Sequence, residues 1–215
     1  MLFFLLLIGL PLQAEVCSVE LFPHSVDSVS MAAVTTAKEP LLRDYDGCPS
    51  PDAKCMTKAY VVQGNVVLAA QTQNVWRCVS YFNGKRQTVG WMKATALQET
   101  PAKTGNASFA GHWVRQHGDS TIDIAKRGAG LYATAMTTEF IREGNVRTGG
   151  AEGVFKINGD HATFGANGDR TRVCSVHVRL LGDVLLADDG ATDDSNSACG
   201  GMGVTEGGVY RRAAR

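Results

Sequence analysis

Residues 154–164 read Val-Phe-Lys-Ile-Asn-Gly-Asp-His-Ala-Thr-Phe, and this stretch decides the fold class. Apolar and polar side chains alternate on both sides of Asn158-Gly159, a dipeptide that favours a tight turn between antiparallel strands. We therefore predict a β-hairpin with a type I′ turn at Asn158-Gly159. Similar short alternating runs, separated by Gly, Asn and Asp, recur along the chain, and no stretch after residue 14 shows a sustained helical period. The sequence predicts an all-β protein.

The C-terminal part of the chain, residues 108–215, contains about eight such runs with mostly short connections. Runs that are neighbours in sequence usually pair, so we predict an up-and-down meander that closes into a β-barrel or curls into a β-sandwich. The alternation places Ile122 and Ile124 on the inner face. It also places Cys174 on the same face as Val176 and Val178.

The first residues are the most apolar of the chain. The run from Leu2 to Leu12 is interrupted only by Gly9 and Pro11, and it is too short to cross a bilayer as a helix. A small residue, Ala14, follows at a suitable cleavage position, so residues 1–14 are predicted to be a signal peptide although a basic start is missing. The pattern indicates export to the periplasm or the medium. Residues 15–39 are then an N-terminal lead-in.

Six cysteines in an exported chain are best explained as three disulfides. Cys174 and Cys199 are the only two in the C-terminal part, so they are predicted to pair with each other. The four earlier cysteines allow three pairings, of which Cys48–Cys55 with Cys17–Cys78 is favoured. The cysteine and histidine spacing does not match a zinc motif, and no metal site is predicted.

Residues 40–98 carry an ordered set of short motifs that resembles the bacterial SH3-like domain family. The resemblance implies a small β-barrel in the cell envelope, sometimes with cell-wall or peptide contact, and no catalytic site. Two departures are Asn65, where the family tends to have Asp, and Met92, where it has Val. The matching positions are Tyr60, Val61, Val62, Gly64, Asn65, Val67, Trp76, Val79, Tyr81, Gly90, Trp91, Met92 and Leu97.

Three aromatic residues of this domain are candidates for partner binding: Trp76, Tyr81 and Trp91. Aromatic side chains give a large contact area at a low entropic cost, so they suit a binding groove. The favoured interpretation, however, is that they fill the core or the rim of a small barrel. The polar segment at 99–107, which contains Pro and Gly, is predicted to be a linker to the second domain.

The chain has 21 basic and 21 acidic residues, which argues against nucleic acid and anionic lipid as partners. After residue 14, no segment is apolar enough to span a membrane. One loop, residues 188–197, concentrates negative charge, and the favoured interpretation is a simple solvated loop. Contact with a basic partner protein and a calcium site are the alternatives. The candidate binding residues are Asp188, Asp189, Asp193, Asp194 and Asn196.

The sequence contains no recognisable catalytic motif, its five histidines are scattered, and no cofactor is predicted. We therefore expect a non-enzymatic exported binding protein. The favoured function is an inhibitor or immunity protein that binds a toxin or another secreted or cell-wall-degrading enzyme. A peptidoglycan-binding or small-ligand-binding envelope protein is the alternative, and a hydrolase on a β scaffold is the third hypothesis.

Overall fold

The computed structural model describes residues 16–84, 86–101, 109–142, 144–165, 173–191, 198–201 and 203–213. The predicted signal peptide at 1–14 lies outside these residues. The described chain is almost entirely β, as the sequence predicts, and it forms a seven-stranded sheet followed by a closed eight-stranded barrel. The described helical elements are one short α-helix, α1 (Leu21–His24), and single 3-10 turns at Ala53–Cys55 and Ala94–Ala96.

The seven strands of the first unit lie in the order β3-β2-β6-β5-β4-β1-β7, and every pair is antiparallel. β1 lies wholly outside the predicted domain limits of 40–98, and β2 and β7 each extend beyond one of these limits. β1 comes from the predicted lead-in, and it pairs with β7, which includes Glu99 and Thr100 of the predicted linker. The strands are β1 (Ser30–Val34), β2 (Lys38–Leu42), β3 (Met56–Val62), β4 (Val66–Gln73), β5 (Trp76–Asn83), β6 (Arg86–Lys93) and β7 (Leu97–Thr100).

The second unit is the predicted up-and-down barrel. Each strand pairs with its neighbour in sequence, and β15 pairs with β8 to close the ring. Closure removes the free strand edges that an open sheet would expose. The strands are β8 (Gly111–Arg115), β9 (Asp119–Arg127), β10 (Gly130–Arg142), β11 (Asn145–Asn158), β12 (His161–Phe164), β13 (Val176–Leu181), β14 (Val184–Asp188) and β15 (Gly208–Arg212).

The β11–β12 hairpin turns one residue later than predicted. Asn158 pairs with His161, so the two loop residues are Gly159 and Asp160. A type I′ turn needs positive φ at both loop residues, but here only Gly159 has it, at 65°. Positive φ at the first loop position alone matches the type II′ pattern, in which Gly also occupies that position.

The barrel interior is filled by side chains. Ile122 and Ile124 point inward as predicted, with at most 2% of their surface exposed. Small alanines alternate with large aromatic residues, and the Trp113 Nε1 atom donates a hydrogen bond to the Phe109 carbonyl oxygen at 2.8 Å. In a ligand-carrying barrel the interior is a cavity, whereas in this barrel the hydrophobic core occupies the interior.

The two units share a hydrophobic interface. Leu21 and Phe22 of α1 pack with Leu68 and Trp91 of the sheet against the outer face of the barrel. On the barrel side, the contact is made by Leu181, Val184, Leu186 and Val209. The run Val184–Ala187 is therefore buried on both faces, because one face lines the barrel interior and the other is covered by the first unit.

All three predicted disulfides are confirmed. Sulfur–sulfur distances are 2.01 Å for Cys17–Cys78, 1.96 Å for Cys48–Cys55 and 2.16 Å for Cys174–Cys199. Such bonds are compatible with an oxidising, extracytoplasmic compartment.

Candidate functional site

The three predicted aromatic binding residues do not form a common exposed groove. Trp91 is fully buried at the interface between the units. Its assignment as a partner-binding residue is therefore corrected, because its side chain is not accessible to a partner. Trp76 packs half-buried against the same cluster, while Tyr81 packs against a different cluster on the other face of the sheet. These positions match the interpretation that the three aromatic residues belong to the core and the rim.

Replacement of Trp91 by Phe is expected to lower the free energy of unfolding by about 1–2 kcal/mol, because a buried side chain loses volume and contacts. The same variant is expected to bind purified sacculi no differently from the wild type. Urea denaturation and co-sedimentation measure the two effects. A loss of binding with unchanged stability would contradict the structural assignment.

The acidic loop is described only at its two ends. Asp193, Asp194 and Asn196 lie outside the described residues. The Asp189 carboxylate accepts hydrogen bonds from Thr205 Oγ1 at 2.7 Å and from the Glu206 backbone N–H at 2.8 Å. It therefore fixes the loop to the segment before β15. The Asp188 carboxylate lies 3.9 Å from His24 Nδ1 of the first unit.

A cleft of about 290 Å³ lies between the two units, next to this loop. Its apolar wall combines Val19 and Pro23 of the first unit with Val204 and Val209 of the second. Polar atoms enter from both sides. The polar lining residues are Glu20, His24, Gln87, Arg115, His117 and Thr205, and Ala191 brings the acidic loop to the edge of the cleft.

Arg115 lines this cleft, but its guanidinium group binds other groups of the protein. Its guanidinium forms a short ion pair with Glu139, and its Nη1 atom donates to the carbonyl oxygens of Thr205 at 3.0 Å and Gly207 at 3.3 Å. Its side chain is only 8% exposed. The charge of Arg115 is therefore offset within the protein. Glu20 places a carboxylate in the lining of the cleft, and Asp188 lies behind the lining residue His24.

Directly behind the cleft wall, the barrel contains a buried carboxyl group. Glu206 is fully buried, and its Oε2 atom accepts a hydrogen bond from Thr137 Oγ1 at 2.8 Å. Thr137 in turn contacts Ser120 Oγ at 2.7 Å, and the Tyr210 hydroxyl donates to the Glu206 carbonyl oxygen. Burial raises the pKa of Glu206 to about 7, and the charge of Asp189 adds to the rise against the opposing effects of Thr137 and Arg115.

A second polar cluster lies on the outer surface of the barrel, where β12 and β13 meet the first unit. The rings of His161 and His177 stack with centroids 5.2 Å apart, and Asp27 of the first unit lies beside them. Burial lowers the pKa of His161, with Arg179 and His177 acting in the same direction and Asp160 and Asp27 opposing them. At neutral pH, the His161 ring is therefore mostly uncharged.

Comparisons of the chain with protein-family models, with curated proteins and with solved structures find no match. Within the described ranges, no helix is long and apolar enough to cross a membrane.

The sequence pointed to one end of the cleft and missed the rest. Of the described residues of the acidic loop, Ala191 lines the cleft, while Asp188 and Asp189 contact the lining residues His24 and Thr205. The Arg115 and Glu206 positions carried no motif, because their roles depend on burial that only the closed barrel creates. His161 and His177 carry no motif in the sequence. The alternation that puts Val176 and Val178 on the inner face does imply that His177 lies on the outer face.

Proposed function

We propose that this is an exported, non-enzymatic binding protein that uses the cleft between its two units to bind a basic partner protein. The partner class that fits is a toxin or a secreted or cell-wall-degrading enzyme, which makes the protein an inhibitor or immunity factor. The observation that carries the proposal is the cleft itself, with apolar walls from both units and the Glu20 carboxylate in its lining.

The size of the cleft favours a side chain over a large ligand. Pockets for drug-sized molecules span about 300–1,000 Å³, so a volume of about 290 Å³ is at the lower end of that range. One long basic side chain suits this volume, with its aliphatic part against Val19, Pro23 and Val209 and its cationic end toward Glu20. A lysine or arginine combines these two properties.

Two further features support a protein partner. The barrel interior is packed with side chains, which speaks against an internal small-ligand site. Asp188 and Asp189, at the start of the acidic loop, contact the cleft residues His24 and Thr205. Negative charge near a binding site mainly accelerates encounter with a partner of opposite charge. The SH3-like resemblance of residues 40–98 adds the expectation of an envelope setting.

The proposal is tested by inhibition of basic lysozyme-type wall hydrolases, measured as the clearing rate of a cell-wall suspension. We expect the wild type to slow at least one such enzyme. Filling the cleft with Val19→Trp is expected to abolish the effect. Glu20→Lys is expected to weaken it about fivefold, since an exposed rim charge contributes up to about 1 kcal/mol.

The matched control is Glu152→Lys, which makes the same charge change on the exposed outer face of β11, away from the cleft. It is expected to inhibit like the wild type. If Val19→Trp inhibits like the wild type, the cleft is not the binding site. If the wild type inhibits no basic hydrolase, the proposed function is wrong. If the wild type co-sediments with sacculi and Val19→Trp does not, the peptidoglycan-binding alternative is favoured instead.

A further inference from the structure

We propose that Asp27, His161 and His177 form a binding site for a first-row divalent transition-metal ion of the Zn²⁺ type, at the junction of the two units. The inference is independent of the cleft, because these residues lie on a different part of the barrel surface. It also differs from the expectation drawn from sequence, which contained no metal site.

The three candidate ligand atoms have the mutual spacing of a tetrahedral metal site. His161 Nδ1 lies 3.1 Å from His177 Nε2 and 3.5 Å from Asp27 Oδ1, and His177 Nε2 lies 3.7 Å from Asp27 Oδ1. Ligands about 2.1 Å from a tetrahedral Zn²⁺ ion are about 3.4 Å from one another. The three observed separations bracket that value, so a single ion can reach all three atoms with little movement of the side chains.

The barrel register explains why the two histidines meet. His161 pairs with Arg179 across β12 and β13, while His177 pairs with Thr163. The two histidines are therefore diagonal neighbours on one face of the sheet, where long side chains can touch. Ala162 and Val178, between them, point into the core, so both rings are on the outer face.

Asp27 is held in place by the same part of the barrel. Arg179 Nη1 donates to the backbone oxygens of Val26, Asp27 and Val29 at 3.1, 3.0 and 2.6 Å. The segment after α1 is thereby fixed directly over the two rings. The Asp27 carboxylate itself is 75% exposed, so it can adjust toward an ion, and water can reach a fourth coordination position.

An outer carboxylate completes the arrangement. The second ring nitrogen of His161, Nε2, lies 3.4 Å from Asp160 Oδ1. A carboxylate on the other nitrogen of a metal-binding histidine orients the ring and increases its basicity. Asp160 also binds Arg179 Nε at 2.9 Å, which offsets the positive charge of that guanidinium near the proposed ion.

The donor set selects the class of ion. Two imidazole nitrogens and one carboxylate suit Zn²⁺, Co²⁺, Ni²⁺ or Cu²⁺. Calcium needs about six to eight oxygen ligands, and magnesium is usually bound by carboxylates, phosphates and water. Because Asp27 belongs to the first unit and the histidines belong to the barrel, a bound ion would cross-link the two units.

The test is titration of the untagged, chelator-treated full chain with Co²⁺, whose visible absorption reports tetrahedral coordination, followed by competition with Zn²⁺. We expect one ion per chain. Loss of an outer-shell partner costs about 10–100-fold in metal affinity, so His161→Gln and His177→Gln are each expected to weaken Co²⁺ binding by more than about 100-fold. Asp27→Asn changes an exposed residue and is expected to weaken binding without affecting the fold.

The matched control is His112→Gln. His112 also faces a carboxylate, Asp123, at 2.7 Å on the barrel surface, but it belongs to a different strand pair. This variant is expected to bind Co²⁺ like the wild type, and circular dichroism checks that every variant is folded. The proposal is overturned if the wild type does not bind Co²⁺, if either histidine variant or Asp27→Asn binds like the wild type, or if His112→Gln loses binding equally.

Discussion

Replacement of Glu206 by Gln is expected to stabilise the protein by roughly 3 kcal/mol at pH 8 and to change its stability little near pH 4. The reason is the fully buried position of this carboxyl group inside the barrel. Burial disfavours the charged form, so the folded protein holds a proton at Glu206 up to a pH of about 7. Glutamine keeps the shape of the protonated acid and cannot ionise.

The direction of the pH effect follows from proton binding. The pKa of Glu206 rises from 4.5 in the unfolded chain to about 7 in the folded one. Between these values, the folded state binds the extra proton, so its stability falls as the pH rises. The contribution is fully present below pH 4.5, is lost between pH 4.5 and about 7, and changes by about 1.4 kcal/mol per pH unit in that window.

Urea denaturation of wild type and Glu206→Gln across pH 4–8 measures the effect as a difference between two curves, which removes the contribution of the other titrating groups. Glu152→Gln, on the exposed face of β11, is the control and is expected to follow the wild type. Parallel curves for wild type and Glu206→Gln would show that Glu206 has an ordinary pKa in the folded protein.

Removal of the Cys17–Cys78 disulfide by a double substitution to Ala is expected to be the most destabilising change discussed here. The bond closes a loop with a sequence separation of 61 residues, and the chain-entropy model gives about 4 kcal/mol for that length. The bond also anchors the segment that leads into α1. This helix packs on the outer face of the barrel and contributes to one wall of the cleft.

The Cys48–Cys55 bond provides a matched comparison, because it closes only 7 residues. The same model gives about 2 kcal/mol for its removal, roughly half the larger effect. Urea denaturation under non-reducing conditions compares the two double variants, and hydrogen exchange at α1 reports whether the interface between the units loosens. An equal loss of unfolding free energy in both variants would contradict the prediction that the loss depends on loop length.

Local patterns were sufficient for the all-β class and for the eight-stranded meander of the second unit, but they did not decide between a barrel and a sandwich. The side-chain period of a strand is two, so the alternation around Ile122 and Ile124 fixes which face is inside. Short connections force neighbouring strands to pair, which leaves a meander as the simplest topology. The turn after β11 was misplaced by one residue because Gly159 can adopt positive φ at either loop position, and pairing of Asn158 with His161 decided between them.

The domain limits were harder to predict from the sequence than the strands of the second unit. β1 and β7 pair with each other over a long sequence separation, and β7 is short. A polar, Pro-containing segment such as 99–107 is typical of a linker, and only the pairing of β7 with β1 shows where the strand ends. The run Val184–Ala187 did contain a usable signal: four consecutive apolar residues in a strand indicate burial on both faces.

The sequence by itself determined the β architecture, because alternation, turn residues and short connections are local properties. It also determined the cysteine pairing of the barrel, since only two cysteines lie there. The tertiary structure alone decided the interface between the units, and with it the cleft, the buried state of Glu206 and the meeting of Asp27 with His161 and His177. Each of these depends on residues far apart in the chain, and their proximity is set by barrel closure and by the packing of α1 on the barrel.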